Sequence, residues 1–167
     1  MKRCLRYVLF LAIRVYGYLN IMKAVIQRVS EASVVIQGDQ SQTISQGIVV
    51  LLGVGINDTS EDVIILADKI LSLRIFSKNN KMDLSVQDIS GDLLIISQFT
   101  LYADCAKGNR PSFIKAAKPV HAKKIYAEFV NYMHKQSLII KTGIFGKNME
   151  VSLVNNGPVT FFLDTKK

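Results

Sequence analysis

Two short segments of this chain carry groups that could do chemistry. In the first, Ser97, Gln98, Phe99 and Thr100 follow one another at the end of an apolar stretch. They offer two hydroxyls, an amide and an aromatic ring. A hydroxyl becomes a nucleophile only when a base takes its proton. Within a few residues the only such group is Asp104. A serine esterase could instead pair Ser97 with His121 or His134, but no G-x-S-x-G elbow surrounds Ser97. A third use is binding, with the backbone N–H groups near Phe99 and Thr100 holding the oxyanion of a tetrahedral intermediate. The plainest reading is a strand end with polar caps. The second segment is Asn155-Asn156-Gly157-Pro158-Val159-Thr160. An X-Pro bond is where a cis peptide is cheap, and the glycine before it lets a ligand approach the backbone. An ordinary turn between strands would use the same dipeptide.

Positive charge is the third feature. The 167 residues hold 21 Lys and Arg against 13 Asp and Glu, a net charge of +8, which favours a polyanionic partner. Between Cys105 and Ala127 stand Lys107, Arg110, Lys115, Lys118, Lys123 and Lys124 with no acid. That stretch is either an electrostatic footprint for RNA or a solvated loop and helix face. Phe113 within it presents a ring on which a base could stack. Two cysteines, Cys4 and Cys105, are too few for a disulfide framework and point to a reducing compartment. No Cys or His pair has zinc-ligand spacing, so neither metal nor other cofactor is expected.

These groups need elements to hold them. Residues 23–29 and 33–37 are β-branched and end near a turn at Gly38-Asp39; they read as strands. Residues 47–54 are continuously apolar between glycines, as a buried strand requires. Thr59 and Asp62 have capping-box spacing ahead of Val63, Leu66, Ala67, Ile70 and Leu71, a helical stripe. A short strand is expected at 73–76 and a buried one at 92–100, ending in the polar groups described above. Pro119 suits the first turn of a second helix with one apolar and one basic face. Strands at 138–142, 149–154 and 159–163 follow, joined through Gly143, Gly146 and Asn156-Gly157-Pro158. The expected fold is α+β: a single domain, a mixed barrel-like sheet with two helices packed on one side.

Residues 1–21 read differently. They hold Lys2, Arg3, Arg6 and Arg14 and no acid, and Arg14 cuts an apolar run too short to span a bilayer. Signal and transit peptides share some of these features, but no small-x-small cleavage site follows. The simplest reading is an upstream extension, with the domain occupying 22–167. Without those four basic residues the rest holds 17 basic and 13 acidic residues, so half of the excess charge belongs to the extension.

The strings SQFTL and NxGPVT, with an opening strand MKAVIQRV, closely resemble the D-aminoacyl-tRNA deacylase family from Met22 to about Thr165. The resemblance implies an enzyme that hydrolyses the ester of D-aminoacyl-tRNA and of mischarged glycyl-tRNA, in the cytoplasm. It implies a homodimer with its active site at the subunit interface. Gly157-Pro158 would be cis and reach the 97–100 segment of the other subunit, where its carbonyls hold the substrate's α-amino group. A D-residue then points its side chain to solvent, whereas an L-residue drives its Cβ into the carbonyls. Arg28 would brace the Gly-Pro loop. Ser112 and Phe113 match the pattern near the adenosine pocket. Ser97, Gln98, Phe99 and Thr100 would form the catalytic segment, with the terminal ribose 2′-hydroxyl helping water to attack and Thr100 orienting the ester. Lys107, Arg110, Lys115 and Lys118 would meet the RNA. A non-catalytic RNA-binding β-domain would also explain the basic stretch, but leaves the GPVT string without a purpose.

Overall fold

The computed structural model describes residues 22–36 and 41–165. The expected extension at 1–21 and the turn at Gly38-Asp39 lie outside the described residues. In chain order the elements are β1 (Lys23–Ile36), β2 (Gln42–Ile44), β3 (Gly47–Gly53), α1 (Ser60–Ser72), β4 (Phe76–Lys78), β5 (Lys81–Leu84), β6 (Asp92–Ser97), a 3-10 turn (Phe99–Tyr102), α2 (Pro119–His134), β7 (Ile140–Thr142) and β8 (Met149–Asp164).

The main sheet runs β2-β1-β3-β6-β7, with β8 on the other side of β1. β1 is antiparallel to β2, β3 and β8, whereas β3–β6 and β6–β7 are parallel. Each parallel step needs a crossover, and the two helices lie on those crossovers. β2 also approaches β6 and β7, so the sheet curls towards a barrel.

The curl explains the unbroken apolar runs. Ile48, Val50 and Leu52 of β3 and Leu93 and Ile95 of β6 face the helices, packing on Leu66, Ile70, Ile125 and Phe129. Their neighbours Val49, Leu94 and Ile96 face inward, against Val29, Val34 and Ile44. Strands buried on both faces cannot alternate apolar with polar residues. α1 starts as its capping box requires, with Asp62 Oδ2 accepting from the Thr59 N–H and Oγ1–H at 2.8 Å each. α2 starts on Pro119, and the Tyr126 hydroxyl ties it to the sheet by donating to the Ile95 carbonyl at 2.9 Å.

Three expectations need correction. The strand placed at 73–76 begins only at Phe76, in a hairpin with β5 that turns on Asn79 and Asn80. Both asparagines have positive φ, which Asn tolerates better than most residues. The segment 23–29 and residues 33–36 of the next belong to one strand, β1. The segments 149–154 and 159–163 are likewise one strand, β8, because β1 backs both along its length. Between Gln27 and Val29 the register slips: two steps along β1 match five along β8, from Thr160 to Asn155. The residues left over are Asn156 to Val159; Asn156, Gly157 and Pro158 are exposed and project from the ladder, whereas Val159 turns back into the core.

Candidate active site

β6 delivers the first segment. Its last residue, Ser97, leads to Gln98, whose N–H donates to the Leu52 carbonyl at 2.7 Å. The chain then closes into the 3-10 turn that carries Phe99 and Thr100, both exposed. The turn can lie on the end of β3 because Gly53 has no side chain; a Cβ there would come within 3.1 Å of the Gln98 carbonyl oxygen and of the Tyr102 ring. Gln98 Nε2 donates to Thr100 Oγ1, which fixes the two side chains against each other. The Phe99 ring meets that of Phe113 edge to face, with centroids 5.0 Å apart. Phe113 is held near by a pair of backbone hydrogen bonds between Asp104 and Ser112, at 2.8 and 2.9 Å.

Beside this turn lies a cleft of about 620 Å³. Ser97, Gln98, Phe99 and Phe113 line one part of it, and Lys147, Asn148 and Met149 another. That size suits a nucleoside or an aminoacyl group. No group of three metal-ligating side chains occurs among the described residues.

The second segment stands elsewhere on the chain. The Gly157-Pro158 peptide is cis and sits in the projection from β8. Arg28 holds that projection: Nε donates to the Asn156 carbonyl at 2.8 Å and Nη2 to Asn156 Oδ1 at 3.3 Å. Nη1 donates to the Ile75 carbonyl, anchoring the guanidinium to the segment after α1. Gly157 and Pro158 are exposed, and neither they nor Arg28 line the cleft of their own chain. Arg28→Ala should therefore loosen residues 156–159 and cost about 1–2 kcal/mol of stability. Arg28→Lys keeps the charge but not the planar fork and should restore little. Amide hydrogen exchange at 156–159, with denaturant melts, measures both effects; unchanged exchange in Arg28→Ala would contradict the brace.

Lys107, Arg110, Lys115 and Lys118 are all exposed on the loop leading to α2. Lys115 lies 4.0 Å from Asp104, and the other three have no ion pair among the described residues. Exposed cations without an ion pair among the described residues are available to phosphates.

Sequence reasoning missed two parts of the site. The wall at 145–149 carries only small signals, such as Gly146 at positive φ. The other part is Asp58, nearly fully buried beneath the 3-10 turn. Its Oδ2 accepts from the Gly55 N–H at 2.6 Å and from the Tyr102 hydroxyl at 3.4 Å. Burial pushes the Asp58 carboxyl from 3.8 up to about 6, the Gly55 hydrogen bond opposing and nearby Asp62 adding to it. Burial and the Asp58 carboxyl raise the Tyr102 phenol as well. Between pH 4 and 6 the folded state thus holds the Asp58 proton more tightly than the unfolded one. The resulting stabilisation is fully present below the unfolded value and is lost as pH rises through about 6. Its size is on the order of 3 kcal/mol. Relative to wild type, Asp58→Asn should therefore gain stability between pH 4 and 7. Denaturant melts at the two pH values test this, and a difference that does not change with pH would contradict it.

With this geometry in view, comparison with known proteins decides the family. Residues 25–164 match the family described as D-Tyr-tRNA(Tyr) deacylase. The chain belongs to this family. It is 56% identical over 147 residues to the D-aminoacyl-tRNA deacylase of Thermosipho africanus (strain TCF52B), covering 87% of this chain and 99% of the relative. The D-aminoacyl-tRNA deacylase of Syntrophobacter fumaroxidans (strain DSM 10017 / MPOB) is 50% identical over the same shares. Among solved structures, one described as c-Myc DNA Unwinding Element Binding Protein superposes with a TM-score of 0.81 at 39% identity, covering 87% of this chain and 99% of that one. A probable eukaryotic D-amino acid tRNA deacylase superposes at 0.75 with 16% identity, covering 86% of this chain and 98% of that one, and shows the shared fold.

Proposed function

We propose that this chain, through residues 22–167, hydrolyses the ester that joins a D-amino acid to the 3′-oxygen of tRNA, releasing D-amino acid and tRNA. The observation that carries the reading is family membership over nearly the whole domain, with both defining segments in place. Water adds to the ester carbonyl, and the resulting oxyanion is held by backbone N–H groups at the start of the 3-10 turn. N–H groups in a first helical turn lack intrahelical acceptors and are therefore available to a developing negative charge. The carbonyl then re-forms as the ribose 3′-oxygen leaves with a proton. Thr100 and Gln98 orient the ester, and the 2′-hydroxyl of the same ribose assists the attack. Phe99 and Phe113 give the terminal base a surface to stack on, with Ser112 beside them, and Lys107, Arg110, Lys115 and Lys118 take the phosphates.

Chirality is read by exclusion in this proposal. The Gly157 and Pro158 carbonyls bind the α-amino group, and only a residue whose Cβ points away from them fits. Glycine has no Cβ to exclude, so glycyl-tRNA is a substrate too. Among the described residues the Gly-Pro step does not line the cleft of its own chain, and β8 pairs only with β1. We therefore place that step in the cleft of a second copy, related by two-fold symmetry.

Release of labelled D-tyrosine from tRNA by substoichiometric protein tests the activity. Sedimentation at assay concentrations tests the assembly: a two-chain particle is expected. A fully active single-chain particle would refute the shared site, and absence of release would refute the function.

A further inference from the structure

We propose that Asp58 is a positioning residue for the catalytic segment: acting through Tyr102 and Gly55, its ionised carboxylate holds the 3-10 turn that carries Phe99 and Thr100. The inference rests on the deacylase reading but adds a group outside the cleft.

The geometry gathers three segments at Asp58. Asp58 lies in the turn between β3 and α1, and Gly55 closes that turn by donating to its carboxylate. Tyr102, the last residue of the 3-10 turn, is buried and donates to the same oxygen. The Asp58 backbone carbonyl accepts from His121 Nε2 of α2 at 2.9 Å. Asp58 thereby joins the β3–α1 turn to the 3-10 turn through its carboxylate and to the basic helix through its backbone carbonyl. Lys23 of β1 adds a fourth hold, with Nζ donating to the Leu101 carbonyl at 3.5 Å and lying 4.6 Å from the Tyr102 ring centroid.

Asp58 Oδ2 accepts both hydrogen bonds, while Oδ1 is buried without a partner among the described residues; bonds to an ionised carboxylate are the stronger ones. Protonation weakens both bonds at once and loosens the end of the turn. The other ionisable groups facing the cluster are Asp62 of α1, His121 of α2, Lys23 of β1 and Asp164 of β8. Burial with Asp62 nearby places the Asp58 transition close to neutral pH, so the turn tightens as pH rises through about 6.

Two measurements on the full chain test this. The first follows the backbone amides of Phe99 and Thr100 by NMR between pH 5 and 8. The second follows kcat and KM for D-tyrosyl-tRNA over the same range. In wild type the amide signals should titrate near pH 6 and kcat should fall on the acid side with them, while KM stays nearly level. Tyr102→Phe removes a donor that favours the ionised form, so both midpoints should move to higher pH. Asp58→Asn should abolish the amide titration and flatten that limb, with kcat roughly fivefold to tenfold lower at pH 7.5. A purely structural Asp58 would lower stability in both variants and leave the midpoints where they are, which overturns the proposal. A titration that survives in Asp58→Asn would belong to another group and overturns it too. Amides that titrate as described in a chain that releases no D-amino acid would support the Asp58 tether and refute the deacylase reading instead.

Discussion

Gly157→Ala should lower kcat/KM for D-tyrosyl-tRNA by about 100-fold or more while leaving the melting temperature nearly unchanged. The loss follows from geometry at the projecting step. A Cβ at this position would press on Asn155 Nδ2 and on the Val159 backbone nitrogen, closer than real Cβ atoms come. The Asn155 side chain can turn away, but the backbone nitrogen cannot, so the step itself must move. A shift near 1 Å in a group that positions substrate can cost about 100-fold in rate. Stability should survive because Gly157 is exposed and the β8 ladder continues on both sides of the step. The change falls mainly in kcat/KM for the D-ester. Uncatalysed hydrolysis of the L-ester provides the floor. A Gly157→Ala protein with wild-type kcat/KM would remove the Gly-Pro step from the mechanism.

Replacing the terminal ribose 2′-hydroxyl by hydrogen, with the D-amino acid kept on the 3′-oxygen, should slow release by roughly 100-fold or more, the range of a lost general acid–base partner. Thr100→Ala should cost only about fivefold, one hydrogen bond's worth, because it removes the hydroxyl and keeps the backbone N–H. Replacing a backbone amide is the complementary experiment. An ester in place of the Thr100 backbone amide removes that N–H alone and should cost about 100-fold to 1000-fold if it faces the oxyanion. Affinity for the deoxy substrate must be measured beside its rate, so that weaker binding is separated from slower chemistry. An inactive Thr100→Ala protein that binds substrate, beside a fully reactive deoxy substrate, would make Thr100 a nucleophile.

The sequence made the local elements legible wherever short-range chemistry decides them. Thr59, Asp62 and Pro119 mark helix starts because capping and a missing N–H act within one turn. The runs in β3 and β6 are apolar on both faces because the helices cover one and the curled sheet the other. What was hidden depends on pairing between distant residues. β8 reads as two strands because nothing local shows that β1 backs both halves and forces Asn156–Val159 out of register. The candidate site divides the same way. Ser97, Gln98, Phe99 and Phe113 are residues whose types stood out, whereas the Arg28 brace was expected from the family resemblance alone. Asp58 did not, since an aspartate in the run Asn57-Asp58-Thr59-Ser60 looks like one more helix cap. Only the burial of Tyr102 against it reveals another role.

The most direct test of the central claim is single-turnover deacylation of D-tyrosyl-, L-tyrosyl- and glycyl-tRNA on the same tRNA, with wild-type protein in excess. The D- and glycyl esters should be cleared far faster than in buffer, and the L-ester should decay at its uncatalysed rate. Equal clearance of both hands would contradict selection by the Gly157-Pro158 carbonyls, and decay of all three at the buffer rate would contradict the enzyme itself.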